Sequence, residues 1–105
     1  MEAAQLDIAL RALADENRRT ILALVKDQPL AVGDIAAKVD VTQQAVSHHL
    51  AVLKKAGLVV ESRDGTRHLF AVRTDGFEGV RSYLDDFWLT RLAALKRAVE
   101  DAAHD

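Results

Sequence analysis

At 105 residues, with no cysteine and a formal net charge of −2, the chain has room for one small domain and excludes disulfides, thiolate zinc sites, thiol redox chemistry and cysteine nucleophiles. Half of it is apolar but only 5% is aromatic, so the core must be built from Leu, Val, Ile and Ala, which favours packed helices. No apolar run reaches membrane-spanning length, and the acidic, amphipathic N-terminal stretch lacks the basic region of a secretory signal, so a cytoplasmic protein that meets no membrane is expected.

Leu6, Leu10 and Leu13 recur at helical spacing and predict a first helix. Asp15 then has the chemistry to cap a second, from which Ile21, Leu22 and Val25 face inward. Pro29, with Gln28, marks the break before a short helix of about residues 32–39, whose buried side is Ile35, Ala36 and Val39. Ala31 stands where a Ser or Thr would cap that helix better, so its first turn is expected to be weak. Asp40 and Val41 form the next turn, for which Asp can take left-handed backbone angles, and Thr42 is an N-cap candidate.

The stretch from Thr42 to Ala56 separates into two faces at 100° per residue. Val46, Leu50 and Leu53 make an apolar stripe, while Gln43, Gln44, Ser47, His48, Ala51, Lys54 and Lys55 share an arc of about 140° on the other side. Amides can read adenine bidentately in a major groove, ammonium groups neutralise phosphate, and Ala51 lets a backbone come close. His49 turns toward the apolar side as a structural histidine. Two short helices so closely joined, spanning about residues 32–56, make a helix-turn-helix.

Gly57 closes the long helix, and two β-favouring runs follow, joined at Asp64-Gly65, where both residues tolerate positive φ. That turn sets Glu61 opposite His68 and Val60 opposite Leu69, with Arg63 and Arg67 at the tip. A hairpin with a basic tip beside a reading helix is a wing, here about residues 58–73. From about residue 75 to 103 the pattern is helical again, with Val80, Leu84, Trp88, Leu92, Leu95 and Val99 three or four apart. This helix is too long and apolar for one small core. Together with Leu6 and Leu10 of the first helix, its Leu84, Trp88, Leu92 and Leu95 predict a homodimer interface anchored by Trp88. The fold class is therefore mainly α (α+β): one domain over residues 1–105, a winged helix-turn-helix with a β-hairpin wing and N- and C-terminal dimerisation helices.

Charge is segregated along the chain. From Thr42 to Arg73, five basic residues (Lys54, Lys55, Arg63, Arg67, Arg73) oppose two acidic ones (Glu61, Asp64), for +3, whereas the flanks are acidic. The expected partner is double-stranded DNA, with Gln43, Gln44, Ser47 and His48 reading bases and Thr42, Lys54, Arg63 and Arg67 setting register on the backbone. Of Arg18 and Arg19, one is expected to reach phosphate and the other to pair with Asp15 or Glu16. The competing class is a dimeric winged-helix module that recruits a protein instead. Ser47 and His48 are helix neighbours that do not align for proton transfer, so no catalytic residue and no cofactor is expected.

With these elements placed, the chain resembles the ArsR/SmtB family of bacterial winged-helix transcriptional repressors. The resemblance rests on LRALADENRRTILALV (Leu10 to Val25), TQQAVSHHLAVLKKAGLV (Thr42 to Val59) and the hairpin RDGTRHLFAV. It implies a homodimer that occupies an operator, blocks transcription and releases it to an inducer, which these residues do not identify. Ala31 and Gly33 stand where metal-sensing members carry cysteines in an LCVCDL-like segment, and Asp40 replaces a common glycine. The family's other metal site, on the C-terminal helix, needs Asp-x-His and a further His. Here only His104 accompanies Asp85, Asp86, Glu100 and Asp101, so no metal site is expected. The competing expectation joins His104 and Asp101 to carboxylates of a partner subunit.

Overall fold

The computed structural model describes residues 3–103. In chain order these form α1 (Ala3–Leu13), α2 (Glu16–Val25), α3 (Val32–Ala36), α4 (Gln43–Lys55), β1 (Val59–Asp64), β2 (Arg67–Val72), a 3₁₀ turn (Thr74–Phe77) and α5 (Glu78–Ala103). Helices α3 and α4 are the helix-turn-helix, and the antiparallel β1–β2 hairpin is the wing.

Local chemistry sets the helix ends. Asp15 Oδ1 accepts from the Arg18 N–H at 3.1 Å, and Thr42 Oγ1 accepts from the Ala45 N–H at 3.0 Å, so both expected N-caps form. Hydrogen bonds to its carboxylate, chiefly from the Arg18 N–H, hold Asp15 below the ordinary aspartate range. Ala31 caps α3 with no side-chain bond, and α3 ends at Ala36 rather than near residue 39. Asp40 does not take left-handed angles, because Gly57 and Gly65 alone have positive φ among the described residues. At the end of α4, Gly57 adopts φ +78° while its N–H donates to Lys54 O at 3.0 Å and that of Leu58 to Leu53 O at 2.9 Å. This pair of bonds is a Schellman closure, which satisfies two otherwise orphaned carbonyls and turns the chain into β1.

The hairpin differs from the expected register. Asp64 pairs with Arg67, Arg63 with His68, Ser62 with Leu69, Glu61 with Phe70 and Val60 with Ala71, so the turn residues are Gly65 and Thr66. The reason is conformational. An Asp-Gly turn of the I′ kind needs two positive φ values, whereas Gly65 at +65° is the sole one here, the pattern of a II′ turn with glycine first. Leu30 adds a third strand-like bridge: its N–H donates to Phe70 O at 3.0 Å and its carbonyl accepts from the Phe70 N–H at 2.8 Å.

Ile21, Val25, Ile35, Val46, Leu50, Leu53 and Leu58 are fully buried, so α2, α3, α4 and the root of β1 share one core. In α1 the deeply buried residues are Ala9 and Ala12, small enough to bring its backbone close to that core, while Leu6 and Leu13 pack partly and Leu10 is exposed. Arg18 clamps the C-terminal end of α1: Nε donates to Ala12 O at 2.7 Å and Nη2 to Arg11 O at 3.1 Å. Arg19 donates likewise to Leu13 O at 2.8 Å, and Arg18 Nη1 lies 3.9 Å from Asp15 Oδ2, so the acidic partner expected for one of the two arginines is present and both serve the fold.

A 3₁₀ turn, where the periodicity predicted continuous helix, precedes α5, which has 26 residues and buries Val80 alone. It runs out from the body to give an elongated outline of 68 × 26 × 26 Å. Leu84, Phe87, Trp88, Leu89, Leu92, Leu95 and Val99 stay exposed on it. No helix among the described residues is long and apolar enough to cross a membrane.

The 3₁₀ turn fits because Gly76 sits against the Gly57 backbone, where a Cβ would overlap the Gly57 carbonyl oxygen. Gly76→Ala is expected to cost about 1–3 kcal/mol by forcing these backbones apart, a melting-temperature drop of about 4–8 °C per kcal/mol for a domain of this size. At Gly33 a Cβ meets open space with ordinary φ, so Gly33→Ala should be neutral or stabilising by up to about 1 kcal/mol. Thermal melts of both variants at one protein concentration check the contrast.

Candidate nucleic-acid interface

The core stripe of α4 is as expected, with Val46, Leu50 and Leu53 at most 1% exposed. Burying that stripe turns the rest of the helix outward. Gln43, Gln44, Ser47, His48, Ala51, Lys54 and Lys55 are all exposed on its far side. Among the described residues, the side chains of Gln43, Gln44, Ser47 and His48 make no intramolecular hydrogen bond, so their donors and acceptors are available to a ligand. Thr42 accepts the capping bond through Oγ1 and keeps its hydroxyl proton to donate. His49 is half-buried, with Nδ1 3.4 Å from Arg18 Nη1, which ties the reading helix to the clamp on α1.

The cations are arranged differently from the amides. Lys54 Nζ lies 3.3 Å from Glu61 Oε2, and Arg67 Nη2 lies 2.7 Å from Asp34 Oδ2 on α3. Arg73 is paired with Asp75 at 3.0 Å. Of the five basic residues between Thr42 and Arg73, Lys55 and Arg63 alone have no carboxylate within 4.0 Å among the described residues. Asp34 was not singled out in the sequence and Glu61 was read there only as the residue opposite His68, because their cationic partners depend on the hairpin register and on where α3 lies against it.

Glu61 is the hub of a chain of contacts across the wing. His68 Nδ1 lies 2.8 Å from Glu61 Oε1, and Arg63 Nη2 lies 3.4 Å from His68 Nε2. One neutral tautomer satisfies both: Nδ1–H donates to the carboxylate while Nε2 accepts from the guanidinium. Glu61 and His68 are diagonal rather than directly paired, and diagonal neighbours on one face still reach each other. Hydrogen bonds from His68, then from Lys54, hold the Glu61 carboxyl below its ordinary range.

Leu84, Trp88, Leu92 and Leu95 of the expected dimer surface are exposed along α5, with Trp88 at 62%. Leu6 is half-buried and Leu10 exposed on α1, which packs against α5. Clefts between these side chains, one lined by Phe77, Val80, Leu84 and Trp88 and another by Phe87, Trp88, Leu92 and Leu95, give the helix a knobbed apolar surface. His104 lies outside the described residues.

Comparison with known proteins gives a consistent picture. The sequence profile described as "Bacterial regulatory protein, arsR family" matches residues 15–61. The chain is 38% identical over 99 residues to the HTH-type transcriptional regulator Rv2034 of Mycobacterium tuberculosis, covering 94% of this chain and 92% of that one. It is 34% identical to the transcriptional repressor SdpR of Bacillus subtilis over 61% of this chain and 71% of the repressor. Among solved structures, it is similar to the homodimeric winged helix-turn-helix DNA-binding domain of Mb0332 from Mycobacterium bovis, a possible ArsR-family transcriptional regulator. The TM-score is 0.66, with 30% identity over 81% of this chain and 82% of that one.

The wing hub has a measurable signature. With its folded pKa lowered, Glu61 contributes stability that is present above its ordinary value of 4.5 and is lost as pH falls through the folded value. Its titration midpoint, followed by NMR of the side-chain carboxyl carbon, should lie below 4.5 and move upward in His68→Ala. An unchanged midpoint in that variant would mean that His68 is not its principal partner.

Proposed function

Since the chain belongs to the arsR family of bacterial regulatory proteins, it is a transcriptional regulator, and we propose that it works as a homodimeric repressor whose α4 reads an operator in the major groove. One observation carries this reading most directly. The row of Gln43, Gln44, Ser47 and His48 is exposed and free of intramolecular hydrogen bonds among the described residues, while the opposite face of the same helix is locked into the core. Groups so placed match base edges, with amides suited to adenine and the hydroxyl to any base. Thr42 at the N-terminal end of α4 and Lys54 at the other, with Arg63 and Arg67 on the wing, are assigned to phosphates, where they set orientation.

A second copy lets two half-sites be read together. The exposed row from Leu84 through Trp88, Leu92 and Leu95, with Leu10 of α1, supplies an apolar face that suits a second copy under two-fold symmetry. Two reading helices then face half-sites about one helical turn apart, roughly 34–36 Å. Occupying such a site excludes other proteins from it, which is the physical content of repression. Enrichment of an inverted repeat from a random duplex pool tests the reading, and failure to enrich any sequence would remove it.

Gln44→Ala and Ser47→Ala are each expected to lower operator affinity by about 1–3 kcal/mol while changing random-duplex affinity little. Arg63→Ala and Arg67→Ala should weaken binding to the random duplex as well. Parallel titrations at one salt concentration separate the two classes. Trp88→Glu should give monomers by sedimentation, with tight binding to the full operator lost and the circular dichroism of the body retained. A monomeric variant that binds as tightly as wild type would refute the two-fold model.

A further inference from the structure

Lys54 and Arg67, the proposed phosphate contacts, each already have a carboxylate partner. Lys54 meets Glu61 at 3.3 Å and Arg67 meets Asp34 at 2.7 Å, and the two pairs flank the reading helix from different elements, the wing and α3. These acids are awkward company for DNA, since each sets a negative charge beside a position intended for phosphate. Neither is required by the core: the Asp34 side chain is 48% exposed, and that of Glu61 is 24% exposed. Exposed ion pairs are worth little in water, so a phosphate can compete with either carboxylate.

We propose that Glu61 and Asp34 are specificity-determining residues: as counter-charges to Lys54 and Arg67, they hold non-specific DNA affinity down and let each cation meet phosphate chiefly in the operator register. The inference rests on the DNA-binding reading and deepens it. A lysine on a free four-carbon stem can find a phosphate in any register of any duplex. Held by Glu61, the Lys54 ammonium occupies one place, reached by a phosphate when α4 is seated in the groove. Glu61 imposes the same restriction on His68, and through it on Arg63, at 2.8 and 3.4 Å. Because specific binding must compete with a vast excess of other sequence, suppressing the phosphate-only mode matters as much as improving base contacts.

The experiment compares Glu61→Gln and Asp34→Asn with wild type on the selected operator and on a random duplex, over a salt series. Each variant frees a cation and removes a repulsive charge. Random-duplex affinity should therefore rise about fivefold at 0.15 M salt, and the slope of log K against log salt should steepen by about 0.9. Operator affinity should rise less, so that the operator-to-random ratio falls. In a Lys54→Gln background the effect of Glu61→Gln on the slope should shrink to the part carried through His68 and Arg63, which a general loosening of the wing would not produce. Unchanged random-duplex affinity and slope in both variants would overturn the proposal, as would loss of operator affinity alone, the mark of residues that merely position the wing. Wild-type protein that enriches no sequence and shows no salt dependence would instead sink the DNA-binding reading, and this inference with it.

Discussion

Gly57 and Gly76 meet so closely that neither backbone could stand where it does if Gly76 carried a side chain. Three elements are joined at this contact. Gly57 ends the reading helix and launches the wing, while Gly76 lies in the 3₁₀ turn that leads into α5. Its neighbour Arg73 donates its N–H to Leu58 O at 2.9 Å, so the end of the hairpin returns to the place from which it started. Helix α4, the wing and the helix that carries the apolar face therefore meet at one corner.

The two polar surfaces of the molecule use charge in opposite ways. On α4 the exposed side chains proposed to read bases lack intramolecular hydrogen-bond partners among the described residues, so their hydrogen-bonding capacity is unspent. Around them the cations are mostly paired with carboxylates drawn from other elements. A formal charge of +3 between Thr42 and Arg73, counted along the chain, therefore overstates the field at the surface, because Asp34 lies outside that stretch yet neutralises Arg67 within it. Clustered basic residues indicate where a polyanion docks, but the carboxylates that fold back onto them govern how tightly it is held.

Much of the architecture was legible in the sequence because its signals are local. Asp15 and Thr42 cap where a short acceptor precedes a helical period, Gly57 closes where only glycine takes φ +78° without strain, and the Val46, Leu50, Leu53 stripe fixes which side of α4 is outward. The hairpin register was not legible. Asp64-Gly65 and Gly65-Thr66 are both acceptable two-residue turns, and the choice between them depends on pairing along the whole strands and on Leu30 docking at Phe70. The Arg67–Asp34 ion pair joins residues 33 positions apart, and the Arg18 clamp ties α2 to the end of α1 across the turn between them, so neither follows from the period of a single element. For the proposed interface this means that the exposed polar row of α4 was readable from periodicity, while the electrostatic setting of its cations required the tertiary structure.

Helix α5 buries one residue and presents its leucines, Phe87 and Trp88 to the outside over most of its length. If a second copy covers that face, the concentration of the binding-competent form grows as the square of the free chain when the chain is scarce. Operator occupancy would then respond to expression level with a threshold rather than in proportion. A cell that dilutes the protein by growth, or degrades it modestly, would lose control of the operator faster than it loses the protein.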